Sequence, residues 1–151
     1  MTLVYKIDPT EDEYHTEKVH AKKIDAFYRH SGVPTFAGNL AYGDIVKVEF
    51  ENNEFHFEEL IEESGHSVLH IVIFDLNERD KVISTLEALG CGVISNVANN
   101  YLVIDIPPSI HYINIQSFLD KEESLNSIDY RESCLSKIHR SIPTKLNRHS
   151  S

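Results

Sequence analysis

Cysteine is scarce: Cys91 and Cys134 are the only two in 151 residues. That is too few for a disulfide scaffold or a complete zinc site, and it points to a reduced, cytoplasmic setting. No apolar run approaches the ~20 residues needed to cross a bilayer, so no membrane role is expected. The N-terminal stretch MTLVYKIDPTEDEYHTEK has no uninterrupted apolar core of the kind a secretion signal carries. Basic charge is also short, with 14 Lys and Arg against 24 Asp and Glu, a formal charge of -10. A general nucleic-acid binder needs a basic footprint to displace counterions from phosphates, so that class is excluded. Gly38, Gly43 and Gly65 are scattered and form neither a P-loop nor a dinucleotide-binding pattern. No cofactor is signalled.

What remains describes a folded acidic domain. Hydrophobic residues make up 41% and charged residues 25%, the balance of a chain that buries a core. The acidity is uneven. Residues 1–66 hold 14 acids and 6 bases, residues 67–134 hold 10 and 4, and residues 135–151 hold 4 bases and no acid. Seven carboxylates, Glu49, Glu51, Glu54, Glu58, Glu59, Glu62 and Glu63, crowd one 15-residue stretch.

The hydrophobic pattern divides the chain. LVYKI at 3–7 alternates and predicts a short strand. Residues 17–32 alternate with a slip near Lys22 and Lys23, which predicts one bulged strand. Val46, Val48 and Phe50 alternate with charged residues, Asn52 and Asn53 mark a turn, and Phe55 and Phe57 resume the phase, which predicts a hairpin with one wet face. VLHIVIF at 68–74 is apolar on both faces, as in a central strand. Val82, Leu86 and Leu89 make a helical stripe that Asn77 would cap and Gly90 would stop. GVISNVA and YLVIDI meet at Asn99-Asn100. Ser109 would cap a second helix carrying Tyr112, Ile115, Phe118 and Leu119, and a short strand at 127–132 would follow. The expected fold is α+β. A small antiparallel barrel-like part over 1–66 precedes a ferredoxin-like β-α-β-β-α-β part over 67–134, and a flexible basic tail covers 135–151.

Short motifs recur along this frame. Pro34, Phe36 and Tyr42 lead into Gly43-Asp44 and a strand. Ser64-Gly65-His66-Ser67 leads into the next strand, and Leu89-Gly90-Cys91 and Ile104-Asp105-Ile106-Pro107 follow. Over roughly residues 17–130 the chain resembles a bacterial family known as a domain of unknown function, numbered 4265. The resemblance implies a fold and carries no activity.

The candidate sites follow from these patterns. Gly43 allows a positive φ at a strand entrance, and Asp44 can bond nearby amides, so the pair reads as a corner device. Ser64 or Ser67 as nucleophile, His66 as base and Glu62, Glu63 or Asp44 as orienter would make a hydrolase-like set. Successive strand residues face opposite ways, however, so His66 and Ser67 should not face each other. No enzyme is expected on these grounds. His56, His66 and His70 could meet a metal with Glu58 or Asp44 only if strand registers aligned, and no metal site is expected. The dense carboxylates favour a protein-binding module with a basic partner, such as a toxin or nuclease domain neutralised by an immunity-type inhibitor whose acids imitate phosphates. A small-ligand regulatory domain is the alternative, and a hydrolase using His66 ranks below it.

Overall fold

The computed structural model describes residues 2–7, 15–34 and 38–140. The chain is mixed α+β, built on two sheets. Strands β1 (Thr2–Ile7), β2 (His15–Ile24), β3 (Phe27–His30), β4 (Ile45–Glu51) and β5 (Glu54–Glu62) form the first. Successive strands pair antiparallel. β1 also pairs in parallel with β5 through Leu3 and Val4, so the pairing runs from β1 to β5 and returns to β1.

The slip near Lys22 and Lys23 is a turn and not a bulge. Ile24 pairs with Phe27 around Asp25 and Ala26, and Asp25 takes a φ of 52°. A short acid tolerates that left-handed conformation because its side chain can bond nearby backbone. The bulges lie in the β4–β5 hairpin, between Ile45 and Val46 and between Lys47 and Val48. At its tip Glu51 pairs with Glu54, and Asn52 and Asn53 both have positive φ, the conformation of the tight turn that twists with its strands. Val19, Ala21, Tyr28, Leu40 and Val46 fill the interior of this unit.

The second sheet has the order β7-β8-β6-β9, from β6 (Ser67–Ile73), β7 (Gly92–Ala98), β8 (Tyr101–Ile106) and β9 (Ile128–Cys134). All its neighbours are antiparallel. Helix α1 (Arg79–Ala88) joins β6 to β7, and α2 (Tyr112–Ser124) joins β8 to β9. Leu69, Ile71 and Ile73 of β6 and Leu102, Ile104 and Ile106 of β8 pack on Val82 and Leu86 of α1 and on Tyr112, Ile115 and Leu119 of α2. The other face carries Val68, Val103 and Cys134, covered in part by Ala41 and Val33 from the first unit. Burial of both faces is why β6 reads as a continuous apolar run.

Both expected caps sit elsewhere. Asp75 Oδ1 accepts from Asn77 N at 3.0 Å and caps a single 3-10 turn, Leu76–Glu78, that feeds α1. Ser109 does not cap α2: Ile110 N donates to Pro107 O at 3.1 Å, and this turn delays the helix until His111 takes the cap position. Gly90 ends α1 with a φ of 99°. There Cys91 N donates to Leu86 O, the bond that closes a left-handed helix end.

The basic tail is not loose from residue 135. Leu135 packs on the core, Ser136 and His139 are buried, and α3 spans Lys137–Arg140. Polar composition suggested fraying, but hydrogen bonds to the start of β6 and to Pro107, described below, tie this segment down. Residues 141–151 lie outside the described residues, as does Phe36. Among the described residues no helix is long and apolar enough to cross a membrane.

Candidate functional site

The β4–β5 hairpin sets out the acidic cluster. Glu49 and Glu51 lie on β4, Glu54, Glu58, Glu59 and Glu62 lie on β5, and all six are exposed. Glu63 is half-buried at the exit, where its Oε1 accepts from Lys137 N at 2.7 Å. It therefore belongs to the clasp on the C-terminal segment more than to the exposed ridge. Glu51 faces Glu54 directly across the strands, an arrangement of like charges that costs stability. The nearby basic side chains relieve little of this. Lys47 lies 3.7 Å from Glu58 and His56 lies 3.6 Å from Glu54, both at exposed carboxylates, where ion pairs contribute roughly 0–1 kcal/mol. Apolar side chains are also exposed on this hairpin, at its tip and its exit. Phe50 is 60% exposed and leans on Phe55 at 4.9 Å between ring centres, while Leu60 and Ile61 are also exposed.

The Gly43-Asp44 and Ser64-Gly65 steps meet in space. Asp44 is buried at 1% exposure. Its Oδ2 accepts from Ala41 N at 2.9 Å, and its Oδ1 accepts from Ser64 N at 2.8 Å. Ser64 Oγ donates to Tyr42 O at 2.6 Å and accepts from His66 N at 3.1 Å. His30 adds a third tie, its Nδ1 donating to Ala41 O at 3.1 Å. Gly43 has a φ of 82°, and a Cβ there would stand 3.1 Å from Ser64 Cβ, so both its conformation and its neighbour call for glycine. Pro34 is buried, and Gly65 sits over Pro108. These motif residues join the two sheets.

His66 is oriented by Asp105, not by Asp44, Glu62 or Glu63. Its Nδ1 donates to Asp105 Oδ1 at 2.9 Å, and its ring meets Tyr42 edge-on. Asp105 lies 39 residues away on β8. An acid between Ile104 and Ile106 in a central strand was the available sequence signal. The two serines do not join His66 through its ring. Ser64 Oγ is committed to backbone, and Ser67 Oγ, fully buried, donates to His139 Nδ1 and accepts from Ser136 N at 2.9 Å. His139 Nε2 lies 3.1 Å from Pro107 O, which can only accept, so Nε2 carries the proton and Nδ1 accepts. Ser136 Oγ also reaches Nδ1, at 3.1 Å. This buried Ser-His pair is an anchor for α3.

The other histidines are dispersed. His56 is on the hairpin opposite Glu49. His70 is on the second sheet, where Tyr101 Oη and Arg131 Nη2 lie 2.6 Å and 3.2 Å from its Nδ1. Among the described residues no group of three or more His, Cys, Asp or Glu gathers to hold a metal. Burial pushes the thiols of Cys91 and Cys134 up to about 12, so the thiolate is scarce at neutral pH. Alkylation by iodoacetamide in the native state is expected to be slower than in urea by about a thousandfold or more. Equal rates in the two states would contradict the burial.

Burial also pushes His30 and His139 below the usual histidine value of 6.5, against the opposing pull of the carbonyls each faces. Below that value the unfolded chain binds more protons than the folded one. The stability these two residues contribute is therefore complete above pH 6.5 and is lost as the pH falls through their folded values. Urea midpoints measured between pH 7.5 and 5 are expected to fall on the acid side, and His139→Gln is expected to remove part of that slope.

A cavity of about 310 Å³ opens beside the junction, with Arg29, Gly43, Glu62, Ser64 and His66 among its walls. A family model described as a domain of unknown function (DUF4265) matches residues 17–130. A solved structure described as "Novel crystal structure of a hypothetical protein from Neisseria gonorrhoeae" is similar at 28% identity and a TM-score of 0.76, covering 90% of this chain and 96% of that one. No curated protein matches the chain.

Proposed function

We propose that this chain, which belongs to the family of unknown function DUF4265, is an acidic protein-binding module whose β4–β5 hairpin docks on a basic protein and blocks it. The observation that carries this reading is the surface itself: six exposed carboxylates on one hairpin, on which Phe50, Leu60 and Ile61 are exposed as well. Carboxylates this dense repel one another and lower stability, so a basic partner that neutralises them would recover that energy on binding. The apolar side chains at the tip and the exit supply what charge alone lacks, surface that an interface can desolvate. A basic toxin or nuclease domain fits the sign, because carboxylates spaced along a strand can occupy a groove made for phosphates.

The same proposal takes the first unit as a small barrel, supported by the return of β5 to β1. It takes the second as ferredoxin-like, supported by the strand order and the two crossover helices. Both present the hairpin on a rigid frame. The test is cross-linking in the cells that make the protein, followed by identification of the captured protein and its reconstitution from pure components. A basic partner, bound by the native chain and released when Glu49, Glu51, Glu58 and Glu59 are changed to Gln, supports the reading. A partner that binds this variant as well as the native chain overturns it.

A further inference from the structure

We infer that the cavity on the first sheet, beside the junction, is a binding site for a small amino carboxylate, with Arg29 holding the carboxylate and with Glu62 and His66 Nε2 holding the ammonium. The walls carry complementary chemistry. Arg29, on β3, offers only donors, is exposed, and makes no ion pair among the described residues. Glu62, at the end of β5, offers only acceptors and likewise has no ion pair among the described residues. Glu63 shares the wall, but one of its oxygens already accepts from Lys137 N. His66 completes the set. Its Nδ1–H is committed to Asp105 at 2.9 Å, so in the neutral imidazole Nε2 is the acceptor on the other ring edge. That edge faces the wall at Gly43, where a Cβ would lie 3.9 Å from His66 Cδ2.

A simple anion would meet Arg29 but be repelled by Glu62 and Glu63. A simple cation would meet Glu62 and be repelled by Arg29. A zwitterion satisfies both walls, and about 310 Å³ holds one small molecule. Ser64 lines the cavity and is held from both ends, its N donating to Asp44 Oδ1 and its Oγ donating to Tyr42 O, so the site is organised without ligand. It shares Glu62 with the acidic hairpin but needs none of Glu49, Glu51, Glu58 or Glu59.

The full chain, labelled with nitrogen-15, is titrated with glycine, 4-aminobutyrate, acetate and methylammonium while the His66 ring nitrogens and the Gly43 and Ser64 amides are followed. At least one amino carboxylate is expected to shift all three residues and saturate, with acetate and methylammonium about tenfold weaker or worse. Arg29→Gln changes an exposed residue and is expected to weaken binding about ten- to a hundredfold. His66→Asn places an amide nitrogen against Asp105 but removes Nε2, so it should keep thermal stability and weaken binding similarly. The inference is overturned if neither amino carboxylate shifts these residues at about 50 mM, or if acetate or methylammonium binds equally well. Unchanged affinity in Arg29→Gln also overturns it, and that variant decides alone should His66→Asn fail to fold.

Discussion

Asp44→Ala is expected to destabilise the fold by about 3–5 kcal/mol. The carboxylate accepts one hydrogen bond from Ala41 N and one from Ser64 N, and it is almost wholly buried. Each such charge-assisted bond contributes about 1.5–3 kcal/mol, and its loss strands a desolvated amide. The two amides belong to different parts of the chain, the loop before β4 and the turn before β6, so the junction itself loosens. Asp44→Asn should cost about half as much, since its carbonyl oxygen can serve one amide while its NH₂ group faces the other. Urea denaturation of the two variants checks the order. Equal and small losses would show that the carboxylate is a solvated bystander. An acid in an active site would follow a different pattern, because removing a strained catalytic charge often raises stability.

Changing Glu49, Glu51, Glu58 and Glu59 together to Gln is expected to weaken binding to the proposed basic partner by about a hundredfold, mostly through slower association. These four carboxylates are exposed and make at most weak ion pairs, Lys47 with Glu58 at 3.7 Å being one. Folding stability should stay level or rise slightly, because repulsion such as that between Glu51 and Glu54 is relieved. The opposite signs of the two effects separate a binding surface from a merely solvated one. A control variant neutralising Asp75, Asp80 and Glu87, which are exposed on or near α1, removes three negative charges at a distance and should affect binding far less. Phe50→Ala tests the apolar part of the hairpin, at its tip. Its exposed ring should matter little to folding and should chiefly raise the rate of dissociation.

Much of this fold is legible in local sequence because local physics decides it. The hairpin follows from alternation about Asn52-Asn53, and β6 follows from a run apolar on both faces. The end of α1 follows from a glycine that can take a positive φ. The failures lie where one local signature fits two structures or where a distant partner decides. A phase slip at Lys22 and Lys23 has the same sequence signature whether it marks a bulge or a turn. Asp25 supplied the turn without the usual glycine or asparagine. The segment after Cys134 looked like a tail because Ser136 and His139 are polar. Their burial depends on Ser67, about seventy positions earlier, and on the Pro107 carbonyl. The site divides in the same way. Gly43-Asp44 is readable as a corner, whereas the Asp105–His66 pair joins strands that meet only in the folded sheet.

The most direct measurement is the rate of association between the pure protein and its cross-linked partner at several ionic strengths, for the native chain and the four-Gln variant. Steering by the hairpin predicts a native rate that falls steeply with added salt and a variant rate that is slower and nearly flat. A native rate indifferent to salt, or identical slopes for the two chains, would contradict the claim that the β4–β5 carboxylates form the docking surface.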